Sequence, residues 1–525
     1  MKRRTLLAAS AAALAAPRLA RSANASTIRF VPEADVVLLD PVVTPAAQTR
    51  EHAYLVYDTL YGLDDQFRPQ PQMVAGAVTE NDGKLWKLTL RDGLMFHDGT
   101  EVLARDCAAS IRRWGARDAF GQALMAAADE VSFADDRVIT VRLKRPFPLL
   151  PDALAKPMAS MCPMMPERLA ASDPYKAVTD PTGSGPYRFV ADERVPGARL
   201  VYQRFAGYVP RENGTPSTTA GPKRPTMERV EWAIIPDNPT AVAALQRGEV
   251  DWVQTPAPDL LSLLRRDPGV TVRVTAETGL LAYMRFNQKL PPFDNPAIRR
   301  ALIGAVSQAD YMTAVNGEDR QLWRDGIGYF CPGTPLASDA GMGALTGPRD
   351  YDRVRRDLAA AGYKGERVAM MVASDVLYLK LMGDVTADVF RKVGLNLDYQ
   401  SIDWTTLVQR RIKKDPLEQG GWNLYCINDN GINQINPAGH LWLRGNGDQG
   451  PPGWAVSPRI EALRNEWFAA ENEAAQQEVA RKMQLQAFED VPYIPLGQSI
   501  APTAYRSDIT GVLNGQPTFW NVRRG

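Results

Sequence analysis

Polar and apolar residues alternate with a period of two in "KLWKLTLRDG", where Trp86, Leu88 and Leu90 interleave with Lys87, Thr89 and Arg91. That pattern predicts a half-buried strand between the turns Asp82-Gly83 and Asp92-Gly93. "VITVRLKRP" repeats it with Ile139, Val141 and Leu143, and Pro146 stops the run. Between the two, the period lengthens. Cys107, Ile111 and Trp114 share one face of a short helix predicted over Ala104 to Trp114.

Later helices carry their own start and stop signals. "DNPAIRRALIGAVSQADYM" offers Asn295 as N-cap and Pro296 as first helical residue, with an apolar stripe through Ile298, Ala301, Leu302, Ala305 and Val306. In "DNPTAVAALQRGEVDWV", Asn238 is read as the cap, Pro239 as the start and Gly248 as the stop before a new strand. "VTADVFRKVGLNLDYQSID" predicts a helix through Val385, Val389 and Val393, a stop at Gly394, and a strand alternating Leu395, Leu397 and Tyr399. Helix, glycine stop and strand in succession indicate an α/β fold. Two long irregular stretches, from Phe205 and from Arg444, are expected to be surface wraps or ligand-adjacent loops.

The chain has 525 residues, 45% of them hydrophobic and 23% charged, enough for two or three domains with sizeable cores. Its net charge is +1, but Lys2, Arg3, Arg4, Arg18 and Arg21 crowd into the first 25 residues, which hold no acid. The remainder is mildly acidic, which argues against nucleic acid or an anionic membrane as partner. "MKRRTLLAASAAALAAPRLARSANA" combines a basic start, an apolar run from Leu6 to Ala16 and a small-residue cleavage site at Ala23-Asn24-Ala25. This reads as an export signal, with Arg3-Arg4 suiting the twin-arginine route; a retained anchor is the alternative. The apolar run is shorter than the roughly 20 residues that span a bilayer. The mature chain is therefore expected in the periplasm. Cys107, Cys162, Cys331 and Cys426 stand singly without C-x-x-C spacing, so no metal site is expected, and either one disulfide or buried free thiols would fit.

The densest cluster of chemistry-bearing residues is "FHDGTEVLARD", Phe96 to Asp106, with one of only three histidines in the chain. His97-Asp98-Gly99 falls in the turn before the predicted helix, and Asp106 falls in its first turn, where a carboxylate suits the free amides. Adjacent residues in one turn point apart, so these charges are expected to be structural rather than catalytic. His52, His97 and His440 are scattered, and neither G-x-S-x-G nor H-E-x-x-H occurs. Gly183-Ser184-Gly185 is read as a tight turn before the strand Tyr187 to Val190. An exported hydrolase is therefore a distant alternative, and a structural or chaperone-like exported protein is a further one.

"LRDGLMFHDGTEVLARD", "TGSGPYRFVADE", "NPAIRRALIGAVSQADYM" and "VPYIPLGQSIAPTAYRSDITG" resemble, in order and spacing, the landmarks of family 5 extracellular solute-binding proteins. These are the dipeptide and oligopeptide receptors of ATP-driven importers. The resemblance implies an α/β, two-lobed periplasmic binding protein fold with a hinge and an extra α+β domain inserted in the first lobe. After a leader over 1–25, the first lobe would comprise 26–58, 184–280 and 492–525. The inserted domain would cover 59–183, and the second lobe 281–491. "YMRFNQKLPPFDNP" after Tyr283 would cross into the second lobe, and "VPYIPLG" near Val491 would return. Closure would be a rigid-body hinge motion. One departure is local: Leu103 stands where the family usually has a threonine, which should weaken that helix start by roughly 1 kcal/mol.

The resemblance also implies a ligand site. The peptide receptors hold the ligand's amine with an aspartate on a strand-to-loop segment, matched here by "GGWNLYCINDNGINQINPAG" with Asp429. A carboxylate in a water-poor cleft gives a cationic ligand a strong charge-assisted bond. Around it stand Trp422, Tyr425, Asn428 and Asn430, and the alternative is that Asp429 caps a turn between its two asparagine neighbours. Trp404 matches a cleft aromatic, or is a core tryptophan. Leu39 and Asp40 match an early loop that faces the ligand. Lys380 and Arg410 are the nearest candidates for holding a ligand carboxylate. No cofactor is expected. The expected partners are a small-molecule or peptide ligand and transmembrane permease subunits, with the receptor itself a monomer. A non-peptide organic solute, or a nickel- or haem-type ligand with His440 in its site, is the alternative.

Overall fold

The computed structural model describes residues 26–157 and 160–525, so the leader expected over 1–25 lies outside the described residues. The chain divides into two compact units, one running to Ala276 and resuming at Ala501–Gly525, the other comprising Glu277–Ile500.

The first unit is built on a seven-stranded sheet. Its order is Val270–Arg273, Thr503–Arg506, Trp252–Val253, Thr27–Val31, Arg229–Ala233, Arg199–Arg204 and Tyr187–Phe189. Thr27–Val31 runs parallel to both of its neighbours, and the flanking pairs are antiparallel. Alternation along these strands sorts the core onto two faces. Phe30, Trp232 and Trp252 pack with Phe519 and the helix Ala47–Val56 on one face. Val31 and Val253 pack with Ala241 and Leu245 of the helix Asn238–Arg247 on the other. A second, antiparallel sheet orders Val74–Glu80, Leu85–Leu90, Val138–Leu143 and Ala128–Phe133. The two strands read from period-two alternation are its central pair, and Leu88, Leu90, Ile139 and Val141 are buried. The helix Ala104–Gly115 lies where its 3.6 period placed it, burying Cys107, Ile111 and Trp114.

The second unit carries a six-stranded mixed sheet ordered Trp323–Arg324, Tyr493–Ser499, Leu280–Phe286, Leu424–Asn430, Arg367–Ala373 and Asn396–Ile402. The strands expected to carry the crossing and the return, Leu280–Phe286 and Tyr493–Ser499, pair antiparallel inside this sheet. Hydrogen bonding therefore keeps both in one unit. The divisions fall at Ala276/Glu277 and Ile500/Ala501, outside the expected 281 and 491.

Three local expectations change. Asp237, not Asn238, caps the helix Asn238–Arg247, its carboxylate accepting from the Thr240 amide at 2.9 Å. Asn238 instead bridges to the Thr255 carbonyl and the Ala257 amide. The stripe from Ile298 to Val306 belongs to no single helix: Pro296–Ile303 ends, and Gln308–Asn316 begins behind its own cap, Ser307. Ala305 and Val306 are buried in the connection, which is why the apolar pattern runs through it unbroken. Gly183 and Gly185 keep ordinary backbone angles and serve close packing: a Cβ on Gly183 would lie 2.0 Å from the Val56 carbonyl oxygen. Between them, Ser184 accepts from the Asp58 amide and donates to the Met164 carbonyl, so its hydroxyl is structural. All four cysteines are buried free thiols, so the alternative of a disulfide is not realised.

Candidate functional site

Arg367–Ala373 runs parallel to both Asn396–Ile402 and Leu424–Asn430, so the three strands end on the same edge of the second unit's sheet. In doubly wound sheets the carboxyl ends of parallel strands are where loops present ligand-binding groups. Continuing the register Met371↔Tyr425 and Ala373↔Ile402 brings Asn428, Asp429 and Asn430 level with the loop after Ala373 and with Trp404. The latter two elements are tied directly, the Trp404 amide donating to an Asp375 carboxylate oxygen at 2.8 Å. Trp404 opens the helix Trp404–Arg410, is half-buried, and lies 5.8 Å from the Arg411 guanidinium. Leu377 and Tyr378, beside Asp375, are exposed apolar residues at the start of the helix Leu377–Lys392.

Asp429 is half-buried, and N–H groups of Asn430, Asn433 and Trp442 are among those that orient it. Its Oδ1 accepts from the Asn430 amide and from Asn433 Nδ2, each at 2.8 Å, and its Oδ2 accepts from Trp442 Nε1 at 3.0 Å. Of the two asparagine neighbours, Asn430 donates its amide to Asp429, and two side chains from further along the chain join it.

The other residues named from the sequence divide. Asn428 and Asn430 are half-buried beside Asp429. Trp422 and Tyr425 belong to the core: both are fully buried, their rings 5.0 Å apart, with Trp454 5.9 Å from Trp422. Leu424–Asn430 is an interior strand buried at its first four positions, so Tyr425 faces protein. Lys380 pairs with Asp384, and Arg410 donates to Gln400 and to the Gly420 and Gly421 carbonyls. Leu39 and Asp40 lie in the first unit. Asp40 is 1% exposed and its Oδ2 takes both the Arg113 guanidinium, at 2.8 Å, and the Val178 amide. Its Oδ1 accepts from the Val42 amide. This carboxylate clamps three segments of its own unit together, and Leu39 packs beside it against the core.

The histidines are likewise structural. His97 Nδ1 accepts from the Gly183 amide and Nε2 donates to the Gly185 carbonyl at 3.0 Å, and burial pushes its pKa down to about 4. His440 is enclosed between the Tyr329 carbonyl and the Tyr493 hydroxyl, and burial lowers it to about 3. Its ring is buried, which removes the support it lent to a metal or haem ligand. Among the described residues no group of three or more His, Cys, Asp or Glu is placed to hold a metal ion. No helix of the described residues is long and apolar enough to cross a membrane.

Two residues of this site escaped the sequence reading. Trp442 lies thirteen positions beyond Asp429, and nothing in "NPAGHLW" marks its indole as a partner. Arg285 did leave a signal, a lone charge within the apolar strand "LLAYMRF". It is fully buried and donates to the carbonyls of Trp442, Pro452 and Pro492 at 2.8–3.1 Å.

The fold is that of solved periplasmic receptors. The agropinic acid complex of AgaA from A. tumefaciens R10 superposes with a TM-score of 0.76 at 19% identity, covering 95% of this chain and 99% of that one. The dipeptide binding protein of Pseudoalteromonas sp. SM9913, in complex with Met-Leu, gives 0.75 at 19% identity, covering 95% and 100%. In sequence, the chain is 35% identical over 523 residues to the "Probable peptide ABC transporter periplasmic-binding protein y4tO" of Sinorhizobium fredii, covering 98% of this chain and 97% of that protein. Residues 68–448 match the model of bacterial extracellular solute-binding proteins, family 5. The chain belongs to that family of solute-binding proteins.

Proposed function

We propose that this protein is the periplasmic receptor of an ATP-driven importer and that it captures a short peptide or related amino compound for transmembrane permease subunits. The observation that carries the reading is the full-length similarity to y4tO, a protein named for peptide transport. In this reading, residues 1–25 direct export by the twin-arginine route, 59–183 form an inserted domain, and the receptor works as a single copy. Asp429 anchors the ligand's amine, flanked by Asn428 and Asn430, with Trp404 offering an aromatic face to apolar ligand surface.

A non-peptide solute is the second reading. It is favoured by the burial of Trp422 and Tyr425, which leaves the segment around Asp429 with asparagines in place of cleft aromatics. It is also favoured by the likeness to AgaA, solved with agropinic acid. Calorimetric titration with trialanine and N-acetyl-trialanine separates the two. The peptide reading expects heat only from the free amine, and a loss of more than about 2 kcal/mol in Asp429→Ala. Equal binding of the acetylated form, or unchanged affinity in the variant, would refute the amine anchor.

A further inference from the structure

We propose that Trp442, held by Arg285, is the positioning residue for Asp429, fixing the direction in which its carboxylate meets a ligand. The inference rests on the reading of Asp429 as the ligand's anchor. Trp442 lies in the short helical turn Leu441–Leu443, which by itself has little to hold an indole in one orientation. The residue is 9% exposed, its ring 5.3 Å from the Tyr283 ring and 5.7 Å from the Arg285 guanidinium, with Nε1 turned onto Asp429 Oδ2.

Arg285 is an unusual group to find in that position. A fully buried guanidinium is costly unless its donors are satisfied, and here backbone carbonyls satisfy them. One of those carbonyls is that of Trp442 itself, so the same side chain holds both backbone and ring of the residue that orients Asp429. Gly453 leaves it the room: a Cβ there would lie 2.5 Å from Arg285 Nε, and its φ of +105° suits glycine alone. The chain runs from Arg285 through Trp442 to Asp429, and each link is a hydrogen bond with a planar, directional donor.

The test uses the full chain labelled with 15N in its tryptophan indoles. Trp442→Phe identifies the Trp442 resonance by its loss. In Asp429→Asn that resonance is expected to move toward the free-indole position, and Arg285→Met is expected to move it the same way. A resonance unmoved in both would overturn the proposal. These spectra require no ligand, so they stand even where the peptide reading fails. Binding supplies the second arm, with trialanine as probe. Trp442→Phe, which keeps the ring packing and deletes the donor, is expected to weaken binding about tenfold in the wild-type background. It should weaken it hardly at all in Asp429→Asn, because Trp442 acts through that carboxylate. Equal losses in both backgrounds would show that Trp442 acts on the fold alone and would overturn the proposal.

Discussion

Replacing Lys223 by methionine should unfold the first unit early, and its effect should fade in acid. Lys223 and Asp58 are both fully buried, with Nζ and Oδ1 2.7 Å apart, Tyr208 donating to Oδ2 at 2.8 Å, and Lys223 lying 4.8 Å from the Trp520 ring. At an effective dielectric constant of about 20, two charges at that distance attract by about 6 kcal/mol, against which stands the cost of removing both from water. The pair gains little net stability, but removing one partner strands the other, at a cost of about 3–5 kcal/mol. The expected fall in melting temperature is about 10 °C. Burial alone would raise the Asp58 carboxyl, yet Lys223 and the Tyr208 bond outweigh it and hold the group below its ordinary value. The ion pair's contribution is therefore complete above about pH 4 and is lost as pH falls through the depressed folded value. In Lys223→Met the largest opposition to burial is gone, with Arg91 and Tyr208 left to oppose it, so Asp58 should take up a proton more readily than in the wild type and the deficit should shrink as pH drops from 7 toward 5. Adding Asp58→Asn should recover most of the loss at neutral pH. Calorimetric melting of the three forms at both pH values checks this. A single-variant loss below about 1 kcal/mol, or a deficit indifferent to pH, would refute the reasoning.

Glu51 is buried, accepts from Gln254 Nε2 at 2.8 Å, and is raised to about 7 by burial, with Arg50 only partly opposing. Its ionisation costs stability as pH rises from about 4.5 through 7, so Glu51→Gln should stabilise at pH 8 by about 2–3 kcal/mol and be nearly neutral at pH 5, as read by thermal melting. Asp106 Oδ2 already accepts from the Leu103 amide at 2.9 Å, so Leu103→Thr would complete a reciprocal cap. Up to about 1 kcal/mol of stabilisation is expected, and a lower melting temperature would contradict it. Gly183→Ala drives a methyl group against the Val56 carbonyl and should destabilise by roughly 1–3 kcal/mol in chemical denaturation; an unchanged midpoint would contradict that packing.

Legibility followed exposure. Leu85–Leu90 and Val138–Leu143 were readable because each has one face toward polar surroundings, which imposes the period of two. Leu424–Asn430 is buried at its first four positions regardless of side, so nothing in "LYCINDN" told Tyr425 from a ligand-facing residue. Where two cap-forming residues are adjacent, as Asp237 and Asn238 are, composition cannot choose between them; the backbone places the first outside the helix and the second inside. The pairs that decide what each polar group does lie beyond any local window: Asp40 with Arg113, Asp58 with Lys223, and Asp429 with Trp442. Asp98 and Asp106 are legible as structural because each has a nearby amide partner, Thr100 and Leu103, beside the distant ones at Arg168 and Glu167. A ligand-facing Asp40 is implied only by the family resemblance, and its partner Arg113, 73 positions away, is out of reach of any local reading.

The central claim is that Asp429 holds the amine of a captured solute. Mass spectrometry of the small molecule released by denaturing the purified protein, alongside Asp429→Ala prepared identically, tests it most directly. The account predicts a peptide or other amine in the wild type that is absent from the variant. A compound without an amine, retained equally by both, would contradict it.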